Sequence, residues 1–207
     1  MPVDADAVEI RVLGCLLEKQ RTTPDAYPLT LNALRLACNQ ATNREPVVDY
    51  DEETIKDALQ RLWRKEWARL ASGQSSRAVK YRQLVTETLG LATDEAAVLC
   101  VLMLRGPQTP GELKQRTDRL HPFEALAEVE ATLGRLIDRE LVVRLDRRPG
   151  QKEERFAQLL GGEPETGALP EVQRPPVARD PLEERVAALE AEVAALRAAL
   201  ADLGFEL

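Results

Sequence analysis

The sequence is poor in the residues that most chemistry needs. A single histidine, His121, occurs in 207 residues, and no Gly-rich phosphate loop or GxSxG turn accompanies it. His121 precedes Pro122 and reads as a cap-region residue rather than a general base. The three cysteines, Cys15, Cys38 and Cys100, lie far apart among apolar helix positions, so none pairs at metal-ligand spacing. An odd, dispersed set of thiols suits a reducing compartment and burial as small hydrophobes. No apolar run approaches the roughly 20 residues of a membrane span. The N-terminus lacks the charged, apolar and small-residue pattern of a signal peptide. These absences predict a cytoplasmic, non-enzymatic protein with no cofactor, no metal and no membrane association.

Charge is abundant but unevenly placed. The net charge is −7. Residues 1–88 balance 13 basic against 13 acidic side chains, residues 89–160 carry 11 against 12, and residues 161–207 carry 4 against 10. The acid excess belongs to the tail, so it does not exclude nucleic-acid binding by the earlier segments, where a local patch sets the field.

A repeat organises the first 160 residues. A shift of 86 lays EIRVLGCLLEK (Glu9–Lys19) over EAAVLCVLMLR (Glu95–Arg105), matching Glu9 with Glu95 and Leu13 with Leu99. A shift of 74 lays IKDALQRLWRKEW (Ile55–Trp67) over VEATLGRLIDREL (Val129–Leu141), matching Arg61 with Arg135 and Glu66 with Glu140. Two copies of one small fold, with longer connections in the first, account for both shifts.

Each copy reads as three helices and a hairpin. In the first, Asp6 and Glu9 have capping-box spacing, Thr30 caps a second helix, and Asp51 caps a third whose apolar stripe is Ile55, Ala58, Leu59, Leu62 and Trp63. WARLASGQSSRAVKYRQL follows as a hairpin around a Gly/Ser-rich turn. In the second, Thr93 is expected to cap helix one, Thr109–Glu112 supplies a cap with Pro at N1, Pro122 opens helix three, and a hairpin turns at Pro149–Gly150. That order is the order of a winged helix. The predicted class is mainly α with small β-hairpin wings (α+β), as two tandem winged-helix domains and a C-terminal coiled-coil helix. The expected boundaries are 1–88, 89–160, a flexible linker over 161–181, and the coiled-coil helix over 182–207.

YPLTLNALRLACNQATNREPVVDYDEETI, with LQRLW and SSRAVKY after it, resembles the YceH family of bacterial proteins of uncharacterised function. The resemblance covers residues 8–160 and implies two tandem winged-helix domains. Leu29–Val48 is its most distinctive part, and within it Asn39, Asn43 and Arg44 are read either as turn chemistry or as a recognition surface.

The candidate nucleic-acid contacts come from the first copy. Arg61, Arg64 and Lys65 close its third helix, and Arg69, Arg77, Lys80, Tyr81 and Arg82 line its hairpin without an acid between them. Such a strip suits phosphates, each neutralised phosphate adding to affinity and to its salt dependence. The other reading is a solvated hairpin that guards its own edge. The same third helix opens on Asp49, Asp51, Glu52 and Glu53, which complement its dipole but repel phosphate. Two functions follow: a nucleic-acid-binding regulator acting through the first wing on duplex DNA, or a scaffold that binds a protein partner.

In the tail, Leu182, Val186, Leu189, Val193, Leu196, Leu200 and Leu203 recur in alternating steps of four and three. This heptad seam has Val at a and Leu at d, the pattern of parallel two-stranded coils, and predicts a homodimer. A helix folded back on the body is the alternative.

Overall fold

The computed structural model describes residues 5–71, 78–146 and 153–162. Helix α1, Ala7–Thr22, opens on the expected capping box: Glu9 N–H donates to Asp6 Oδ1 at 2.8 Å and Asp6 N–H donates to Glu9 Oε2 at 2.9 Å. A 3₁₀ turn, Pro24–Ala26, leads into β1, Leu29–Thr30, after which the Thr30 hydroxyl caps α2, Leu31–Cys38. Asp51 accepts from Thr54 N–H at 2.8 Å and so caps α3, Glu52–Arg64. Strands β2, Ala68–Leu70, and β3, Lys80–Gln83, pair antiparallel, and β1 joins the far side of β3, giving the order β1-β3-β2.

A short helix α4, Val85–Thr88, leads to the same plan again: α5, Thr93–Arg105; α6, Pro110–Arg116; α7, Leu126–Asp138; and a hairpin of β4, Val142–Leu145, with β5, Arg155–Gln158. Gln108 makes one antiparallel bridge to Phe156 of β5, in the place that β1 holds in the first copy. Helices α3 and α7 are both 13 residues long. They also end alike. Trp67 N–H donates to Leu62 O and Glu66 N–H to Trp63 O, while Leu141 N–H donates to Leu136 O and Glu140 N–H to Ile137 O. This is the Schellman closure, with Glu66 at φ 59° and Glu140 at φ 55° in the left-handed position.

The described residues of both copies belong to one compact unit with a shared core. Helix α1 is buried without a break from Glu9 to Leu17, and α5 from Glu95 to Leu104. A helix apolar on all sides needs neighbours on all sides. Helix α1 packs against α2, α3 and α5, and α5 also meets α6, α7 and β5. Gly14 permits the closest approach: a Cβ there would stand 2.8 Å from Leu104 Cδ2. All three thiols are buried and free, with Cys15 Sγ donating to Ala37 O and Cys100 Sγ to Gly14 O, each at 3.4 Å. Among the described residues no helix is long and apolar enough to cross a membrane.

Three local expectations are corrected. The cap of α5 is Ala92, not Thr93, because Glu95 must occupy N3, where its carboxylate accepts the Ala92 N–H at 3.0 Å. Helix α7 starts at Leu126 rather than at Pro122; the intervening chain instead buries Phe123, against whose ring His121 packs edge-on with centroids 4.7 Å apart. Trp63 leaves the buried stripe of α3 and is 64% exposed, since Ile55, Ala58, Leu59 and Leu62 already fill the inward face.

Candidate nucleic-acid interface

The structure divides the seven described residues among the eight expected contacts into two groups. Arg61 and Lys65 turn back toward α1. Lys65 Nζ lies 2.7 Å from Glu9 Oε1, and Arg61 lies 2.7 Å from Asp6 Oδ2 and 3.6 Å from Glu9 Oε2. The Glu9 carboxylate is almost wholly buried, so it needs cationic partners. The second copy repeats the arrangement: buried Glu95 meets Arg139 at 2.8 Å and Arg135 at 3.5 Å. The matched Glu, Arg and Lys/Arg positions therefore tie helix one to helix three in both copies. Arg82 is likewise held, by Glu87.

The second group faces outward around a groove of about 240 Å³ between α3 and the hairpin. Lys56, Gln60 and Trp63, spaced four and three residues apart, form a stripe on α3. Arg69, Leu70 and Tyr81 close the other wall. Leu70 is 56% and nearby Val79 53% exposed. Arg64 is exposed and Lys80 partly so. Among the described residues no acidic side chain lines this groove. The acidic residues Asp51, Glu52 and Glu53 sit at the other end of α3, where Asp51 is engaged by the Thr54 N–H, a bond that holds its carboxyl below the ordinary range. Arg77 lies outside the described residues, and so do the seam positions Leu182, Val186, Leu189, Val193, Leu196, Leu200 and Leu203.

Lys56, Gln60 and Trp63 were not legible as contacts from the apolar stripe alone. Their own i, i+4, i+7 spacing was the available signal, a second stripe beside the buried one.

The loop between α2 and α3 has a different task. Asn39 ends α2 and pairs its side-chain amide with the backbone of Tyr50, donating to Tyr50 O at 2.8 Å and accepting from Tyr50 N–H at 2.9 Å. This closes the loop at its base. Asn43 takes a left-handed φ of 61°, which Asn tolerates better than most residues, and its Oδ1 accepts from Arg105 of α5. Arg44 is fully buried and grips Glu18 of α1 with both ends of its guanidinium, at 2.6 and 3.1 Å, while also donating to Ala37 O. Burial would lower the Arg44 pKa, and the Glu18 carboxylate more than reverses that, raising it. Glu45 N–H donates to Leu104 O at 2.8 Å. From below, Arg11 of α1 donates to Cys38 O and Pro46 O. The loop is thus a strap from the first copy onto α5 of the second.

Sequence comparison fits this continuity across both copies. The family described as a protein of unknown function, DUF480, matches residues 5–151. A UPF0502 protein YceH of Salmonella paratyphi B is 44% identical over 210 residues, covering 98% of this chain and 97% of the relative. The chain belongs to the YceH family. A further YceH-family relative, a UPF0502 protein of Solibacter usitatus, is 51% identical over 197 residues, covering 94% of this chain and 93% of its own. Another, from Geobacter sulfurreducens, is 48% identical over 201 residues, covering 95% and 91%. The family-model match begins at the α1 cap and runs through the strap, the groove and α7 to residue 151, most of the 8–160 stretch over which the sequence resembles the family.

Proposed function

We propose that each copy is a winged helix, that the chain is a non-enzymatic regulator, and that it binds duplex nucleic acid through α3 and the hairpin of the first copy. The helix-strand-helix-helix-hairpin order with the sheet order β1-β3-β2 supports the fold reading, as does the Gln108 bridge that repeats β1 in the second copy. One observation carries the functional reading: Trp63 stands open beside Lys56, Arg69 and Tyr81 in a groove that no acid lines among the described residues. Cations there meet phosphates, and the aromatic faces meet sugars or base edges. The outward set is narrower than the sequence alone suggests, because Arg61, Lys65 and Arg82 are committed to carboxylates. Pairing of two chains through the 182–203 seam supplies a second copy of the interface, which suits a dyad-symmetric target.

The test is anisotropy of a labelled duplex titrated at several salt concentrations. Arg64→Ala, Arg69→Ala and Lys80→Ala together are expected to weaken binding on unrelated sequences. They should also reduce the slope of log affinity against log salt by about 0.9 for each lost phosphate contact. The exposed apolar side chains of Leu70 in the groove and Val79 near it favour a second reading, a protein partner seated on the same face. Absence of duplex binding by the parent at low salt would select it.

A further inference from the structure

A second cavity lies away from the groove. It encloses about 690 Å³ between the two copies, where the ends of α1, α5 and α6 and the strap converge. Four cations line it, Lys19, Arg105, Arg116 and Arg119, against two carboxylates, Glu18 and Asp118. Glu18 is already paired with buried Arg44 at 2.6 Å and, more loosely, with Lys19 at 3.5 Å. The walls therefore carry positive charge in a chain whose net charge is −7.

Cations near helix C-termini usually answer the helix dipole, each end of which is worth about half a negative charge. Here side-chain donors already reach carbonyls in the last turns of these helices. Thr22 Oγ1 donates to Glu18 O, Thr23 Oγ1 to Lys19 O, Thr117 Oγ1 to Leu113 O, and Gln108 Nε2 to Arg105 O. Among the described residues Arg105 donates to a neutral group, the Asn43 side-chain carbonyl, and Arg116 pairs with Glu112 at a loose 3.5 Å. Arg119 is exposed and makes no ion pair among the described residues. Crowding is also felt electrostatically: burial and the nearby Arg116 and Arg44 push the Arg105 pKa down. Guanidinium groups in this state have unused paired donors, which match the oxygens of phosphate or carboxylate.

We infer that this cavity binds a small, multiply charged oxyanion of phosphate or polycarboxylate type, held by Arg105, Arg116, Arg119 and Lys19. Its volume falls in the range of small-molecule sites, and its position at the junction of two copies is a common one for them. The strap residue Asn43 lies in its wall, so a bound anion would touch both copies at once.

The experiment is calorimetric titration of the full-length chain with pyrophosphate and, separately, with citrate, each against sodium chloride at matched ionic strength. Saturable binding of at least one probe is expected, and which of the two binds assigns the oxyanion type. Arg116→Gln with Arg119→Gln should weaken it by roughly tenfold or more, the scale of a lost charge-assisted contact. Both residues lie at the surface, and an unchanged melting curve would confirm that the variant folds. Asp118→Asn removes a repelling carboxylate and should tighten binding, a change that unfolding cannot imitate. No saturable binding of either probe, undiminished binding in the double arginine variant, or unchanged affinity in Asp118→Asn would each overturn the assignment.

Discussion

Arg44 and Glu18 form the ion pair on which the strap depends. The Arg44 side chain has no exposed surface and that of Glu18 is 16% exposed. Removing one member strands the other in a medium that solvates it badly, so Arg44→Ala is expected to cost about 3–5 kcal/mol in denaturant unfolding. Arg44→Lys should recover little, because a lysine cannot span Glu18, Ala37 O and Gln40 together. The pair also sets an acid limit. Burial would raise the Glu18 pKa, yet the hydrogen bond and charge of Arg44 bring it below its ordinary value. A carboxyl depressed in the folded state contributes stability that is complete above its unfolded value, about 4.3, and is lost as pH falls through the folded value. Glu18→Gln should therefore lower stability at neutral pH and flatten its decline below about pH 4.3, as read from melting curves across that range.

At the scale of elements, α3 presents one basic face to α1 and another to the groove, and they are separable. Arg61→Ala with Lys65→Ala leaves buried Glu9 without its cationic partners. Since both cations are partly exposed, a discounted loss of about 1–3 kcal/mol is expected, with duplex affinity little changed. The groove substitutions should do the reverse, and equal loss of affinity in both sets would refute the division. This is also where the sequence was least legible. Repeat shifts of 86 and 74 located α1, α3, α5 and α7, because caps and buried periodicity recur in the copies. The same shift of 86 carries Asp6 onto Ala92, so the repeat itself held the true cap of α5, hidden by the more obvious Thr93. What no single helix pattern can reveal is which partner a cation chooses. Arg61 and Arg64 look alike in sequence, and only the approach of α1 distinguishes them. The roles of Asn39, Asn43 and Arg44 also depend on long-range partners, Tyr50, Arg105 and Glu18.

At the scale of the whole molecule, assembly is the open quantity. An unbroken seam from Leu182 to Leu203 is expected to make the intact chain a dimer, and deletion of residues 182–207 should give a folded monomer by light scattering. A truncated chain that stays dimeric would place the contact elsewhere. Within one chain, the Gly14 contact and the strap have a separate outcome. Tandem modules on a flexible tether can adapt to whatever spacing a target offers. These two cannot, because α1 and α5 lie against each other with no room for even one methyl group at Gly14. A partner that touched both copies would therefore meet them at one fixed spacing.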